Sequence, residues 1–118
     1  MFEKDKWMSI GEFVAPQGLK GDIRIKSSSD FPERFTQPGK RWIRKKNEFP
    51  TEIKLIKGTL IPGKSIYVLS LEGVKDRSSA EEIIGWNFLI PISVHFSIIK
   101  SFLIFFTGVK ATHISSGT

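Results

Sequence analysis

Two histidines, His95 and His113, and no cysteine make up the chain's supply of imidazole and thiol chemistry. A Ser-His-Asp arrangement needs its histidine on a rigid scaffold. Both histidines here lie beyond residue 90, in a stretch without a single acidic residue. Two histidines without cysteine also make a poor zinc site. Glu81 and Glu82 are neighbours in a helical pattern, so they point apart and form no acid–base pair; they read as solvated helix surface. The run Gly18-Leu19-Lys20-Gly21 is too short for a phosphate-binding loop. Neither enzyme chemistry nor a cofactor is expected from this set. The cations say more. Lys20, Arg24 and Lys26 cluster near one turn, and Arg41, Arg44, Lys45 and Lys46 follow further on. They suit either a solvated face or a platform for nucleic-acid phosphates or a partner protein. There is no aromatic signature for stacking unpaired bases.

These cations need strands to carry them. The stretch from Trp7 to Lys26 reads as two strands joined by a turn. In the second, Ile23 and Ile25 face one way, and Asp22, Arg24 and Lys26 the other. In the first, Met8, Ile10 and Val14 fall mostly on one side, although Trp7, Ile10 and Phe13 break the alternation. Pro16 fixes its own φ and extends Ala15, while Gly18 and Gly21 suit positive φ or close backbone approach. Lys20 stands between the two glycines, in an ordinary hairpin loop or in a docking loop with a basic finger.

Ser27 to Asp30 breaks the strand pattern. Asp30 is positioned to cap a short turn that sets Phe31 and Phe35 on one face, where both would plug a barrel end. Gln37-Pro38-Gly39 turns the chain. A third strand is expected over 41–46, with Trp42 opposite Ile43 and therefore on the rim. After a tight turn at Asn47-Glu48, a fourth strand is expected over 49–57 and a loop over 58–64. The fifth strand, over 65–71, is apolar on both faces, as a central strand would be. One convincing helix is expected from Val74 to Gly85, capped by Asp76 or Ser78. Ser78 and Glu81 match the capping-box spacing, and Ala80, Ile83 and Ile84 form its buried stripe. Asp76 and Arg77 read as a cap and a local ion pair. Asn87 to Ile90 closes as a sixth strand. Six short strands with frequent turns predict a mainly β fold, a six-stranded antiparallel β-barrel with one short helix over an open end.

The chain has 118 residues, 40% of them hydrophobic and 25% charged, with a net charge of +6. These values describe one globular domain and not a disordered tail. The charge favours nucleic acid or an acidic surface without demonstrating either. The absence of cysteine fits a reducing compartment. The first ten residues are charged and show no secretory pattern. The longest apolar stretch, Phe96 to Phe106, is broken by Ser97, Lys100 and Ser101. It falls short of the ~20 residues of a membrane helix, so no membrane partner is expected.

Two blocks carry a family resemblance. GEFVAPQGLKGDIRIKSSSDFPERF, from Gly11 to Phe35, resembles the opening of the ribosome maturation factor RimM family. LEGVKDRSSAEEIIGWNFLIP, from Leu71 to Pro91, resembles the close of that family's first domain. The resemblance implies a translation-factor-like barrel. It also implies a non-enzymatic, chaperone-like role in the cytoplasm, in assembling the head of the small ribosomal subunit and processing 16S rRNA. Partners would be the small-subunit precursor, a ribosomal protein of its head and 16S rRNA itself. Gly18, Lys20, Gly21, Arg24, Lys26, Arg41, Arg44 and Arg77 are the candidate binding residues. The alternative is a general RNA-binding or translation-factor-like module working through phosphate contacts. The domain reading is a frayed start at 1–6, a barrel over 7–91 and an atypical apolar tail over 92–118. That tail is too short for the family's second domain and is read as a truncated or frame-shifted remnant.

Overall fold

Ile23 and Ile25 have no solvent exposure, while Arg24 and Lys26 are exposed, the alternation of a strand with one wet face. This strand is β2 (Asp22–Ser27), in a computed structural model that describes residues 6–93. The other elements are β1 (Trp7–Gln17), α1 (Glu33–Thr36), β3 (Gly39–Arg44), β4 (Thr51–Leu60), β5 (Ile66–Leu71), α2 (Arg77–Glu82) and β6 (Asn87–Pro91). The strands form a closed barrel in the order β1-β2-β5-β4-β3-β6, every pair antiparallel. This is the six-stranded architecture expected; among the described residues two short helices, α1 and α2, accompany the barrel where one was expected. The expectations for residues 1–5 and 94–118 lie outside the described residues.

β1 departs from its expected pattern because it is bulged twice. Its register shifts between Ser9 and Gly11 against β6, and between Phe13 and Ala15 against β2. Each bulge inserts a residue and changes which side chains face inward. Ile10 and Phe13 are therefore both fully buried, and Val14, expected inside, is 38% exposed.

Other boundaries move for local reasons. β4 continues through Gly58, where the sequence suggested a loop. A Cβ at Gly58 would overlap the Phe35 carbonyl, so this glycine marks a close approach and not a break. β3 starts at Gly39 and stops at Arg44, and the chain then turns through Asn47, which has φ 67°. α2 is shorter than expected. Asp76 is its N-cap, accepting from the Ser79 amide, while the Ser79 hydroxyl sits beside the Asp76 amide. The capping box is thus Asp76/Ser79, not Ser78/Glu81. Ser78 already lies inside the first turn, where its side chain cannot cap. Asp30 caps nothing in α1, whose N-cap is Pro32 without a side-chain bond. The Ser27 and Ser29 hydroxyls instead hold the preceding loop through the amides of Ser29 and Phe31.

The core is an aromatic run. Phe13 meets Phe88 edge-on at 5.5 Å, Phe88 lies 6.1 Å from Phe35, and Phe35 stacks on Tyr67 at 4.5 Å. Such pairs add about 0.5–1.5 kcal/mol beyond their buried area. Burial, and then the charge of Glu33, push the Tyr67 phenol above its usual pKa. Phe35 plugs the barrel as expected, but Phe31 does not join it. Phe31 lies half-buried with the Arg34 guanidinium 4.8 Å from its ring. Trp42 is half-buried outside and packs 5.1 Å from Trp7. Ala80 and Ile83 of the α2 segment are buried, and Ile84 packs partly against the same cluster.

Candidate docking loop and basic surface

The turn between β1 and β2 is built on two glycines with different duties. Gly18 has φ +76° and Gly21 φ +91°, both in the left-handed region that L side chains avoid. At Gly18 a Cβ would meet nothing, so only its dihedral favours glycine. At Gly21 a Cβ would overlap the Val74 carbonyl and come within 2.9 Å of the Asp76 amide nitrogen. The loop is therefore pressed against the segment that leads into α2. Arg77, first residue of α2, completes the brace. Its Nη1 donates to the Gly18 carbonyl at 3.1 Å, and its Nε lies 3.3 Å from Glu81 Oε2. Arg77 does more than the local pair expected of it, since it ties together two segments 59 residues apart. The Asp76 cap fixes where that arginine stands. The Ser79 amide and hydroxyl hold the Asp76 carboxyl below the usual carboxylate range.

What this brace presents is Leu19 and Lys20. Leu19 is 78% exposed, and Lys20 is exposed beside it. Arg24 follows on the outer face of β2 with its Nε donating to Gln17 Oε1, and Lys26 lies exposed two residues further along. Gly18, Lys20, Gly21 and Arg77 thus come together at one end of the barrel, with Arg24 and Lys26 leading away from them.

Arg41 and Arg44 do not belong to this group. In the closed order, β3 stands three strands from β2 in either direction, so the two sets of cations occupy opposite walls. A single basic platform does not form. Arg41 is also committed internally. Its guanidinium donates to the carbonyls of Arg34 at 3.0 Å, Lys40 at 2.8 Å, Gln37 at 2.8 Å and Glu33 at 3.3 Å. It therefore satisfies carbonyls that the short α1 leaves open. Burial, and then the neighbouring charge of Arg34, lower the Arg41 pKa. On the same wall Lys40 and Lys54 stand directly opposite each other across β3 and β4.

Among the described residues no group of three His, Cys, Asp or Glu side chains could hold a metal ion, and no helix is long and apolar enough to cross a membrane. Sequence reasoning singled out Lys20 and the glycines but missed Leu19, which had been visible as an apolar residue inside a polar turn. It also missed the carbonyl-binding duty of Arg41, for which the sequence carries no signal.

Two solved structures are similar to this fold. One is described as a 16S ribosomal RNA processing protein RimM from Pseudomonas aeruginosa, with TM-score 0.59 and 24% identity, covering 74% of this chain and 51% of that one. The other is the N-terminal domain of RimM from Thermus thermophilus, with TM-score 0.55 and 21% identity, covering 74% of this chain and 91% of that domain. Residues 8–95 match the RimM N-terminal domain family, and the chain belongs to that family. Ribosome maturation factors RimM from two Prochlorococcus marinus strains are similar to it. One, from strain NATL1A, is 82% identical over 92 residues, 78% of this chain and 52% of the relative. The other, from strain MIT 9211, is 50% identical over 91 residues, 77% of this chain and 52% of the relative. The chain thus spans about half the length of the curated relatives it matches.

Proposed function

We propose that this chain acts in ribosome maturation as a non-enzymatic docking module in the cytoplasm. It binds the small-subunit precursor through the β1–β2 end of the barrel, contacts a ribosomal protein of the subunit head, and thereby assists head assembly and 16S rRNA processing. The observation that carries this reading is the 82% identity, over 92 residues, to a relative named ribosome maturation factor. The braced loop supports it. A pre-ordered, cation-bearing loop loses little entropy on binding.

The expected test is the double change Lys20→Ala with Arg24→Ala, assayed against purified small-subunit precursors. Both side chains are exposed, so melting stays within experimental scatter while association weakens. Equal binding by the variant would reduce these residues to a solvated face.

The second reading, a general RNA-binding module, draws on the Lys40/Lys54 pair. Like charges directly opposite are unfavourable alone and would be relieved by a phosphate. Salt separates the two readings. Binding by phosphate contacts alone to single-stranded RNA falls with a log–log slope of about −0.7 per contact, whereas docking on a protein is less sensitive.

A further inference from the structure

We infer that Leu19 is the apolar anchor of the docking loop, inserting into a hydrophobic pocket on a protein partner while Lys20 meets carboxylates at that pocket's rim. This rests on the proposed docking of the β1–β2 end and names the kind of partner found there. Leu19 is 78% exposed, more than any other large hydrophobic among the described residues; Phe49 follows at 68%. A lone exposed leucine is ordinary on a protein surface. This one is distinguished by its mounting. The residue before it is held by the Arg77 guanidinium at its carbonyl, and the loop's last residue, Gly21, is buried against the Val74 to Asp76 backbone. Left-handed glycines at both ends fix the loop's path between those two points. With the brace in place, Leu19 stands away from the barrel core. The side chain is therefore held out in water, its burial deferred to a complex. A leucine adds nothing to a phosphate contact, whereas filling an apolar pocket on a protein partner removes its side chain from water. The adjacent lysine then selects the sign of the rim and steers approach.

The probes are purified small-subunit precursor particles and the protein-free rRNA extracted from them. Leu19→Met keeps the apolar volume and should bind the particles as the unaltered chain does. Leu19→Ala should weaken that binding about tenfold, as expected for losing most of one buried leucine, and Leu19→Asp further. The weakening from Leu19→Ala should be the same at low and high salt, whereas Lys20→Ala should flatten the salt dependence. Binding to the stripped rRNA should not respond to Leu19. Arg77→Ala should weaken particle binding on its own yet add little to Leu19→Asp, because it acts by positioning that side chain. Circular dichroism melting should be unchanged for the Leu19 variants. If the unaltered chain binds particles and Leu19→Asp binds equally well, the anchor is wrong and the docking reading stands. If Leu19→Ala weakens binding to stripped rRNA as much as to particles, the partner at this loop is RNA and the inference fails. If the unaltered chain does not bind particles, the proposed function fails and the anchor with it.

Discussion

At residue scale, Gly18 and Gly21 look equivalent in sequence and are not. Gly21→Val should destabilise by at least about 2 kcal/mol, since it adds a clash with the Val74 carbonyl to an unfavourable φ. Gly18→Asn should cost less than about 1 kcal/mol, because asparagine tolerates the left-handed region and the space is open. Urea unfolding of both variants checks the contrast, and equal effects would count against the close approach at Gly21. Asp76 supplies a pH dependence. Its carboxyl is held below the usual range by Ser79, so its folded pKa lies under its unfolded one. Its charged-state contribution is present above the unfolded carboxylate pKa and is lost as pH falls through the folded value. Asp76→Asn keeps a capping side chain without the charge. The stability gap between the unaltered chain and this variant should therefore shrink on acidification, which thermal melts across the acid range would show.

At element scale, α1 is four residues long and cannot hold itself together. It is fixed by Phe35 in the core and by Arg41 at its carbonyls. Arg41→Lys should therefore cost about 1–3 kcal/mol, because a single ammonium cannot reach the set of carbonyls that a planar guanidinium spans. A stability change within about 0.5 kcal/mol would instead make Arg41 a surface residue, available for the contact the sequence first suggested. The strands were legible because alternation shows directly in residues such as Ile23, Arg24 and Ile25. The bulges of β1 were not, since a bulge leaves the composition intact and only shifts parity, as Val14 shows. Gly58 misled because one residue type serves loops and close approaches alike. The site was legible in part. Its glycines and Lys20 announce a turn, but the Arg77 brace joins segments 59 residues apart and has no local signature.

At the scale of the whole molecule, all six strands and the buried core fall between Trp7 and Pro91. We propose this span as the folding unit. Residues 94–106 combine β-prone apolar side chains with one charge and no proline, a composition that favours aggregation. A chain ending at Pro91 should keep the barrel's circular dichroism and scatter less light than the full chain. A shorter chain that unfolds or aggregates more would make the remaining residues part of the domain. The closing strand has a further consequence for biosynthesis. β6 has five residues and is the last of the barrel's six strands to be translated, yet it lies between β1 and β3. Before it emerges, the other five strands can form only an open sheet whose two outer rims, β1 and β3, both have unsatisfied amides and carbonyls. Such rims are templates for pairing with other nascent chains. A stall or cleavage upstream of Asn87 would thus release a sticky half-product, and a few residues of further synthesis would seal both rims at once.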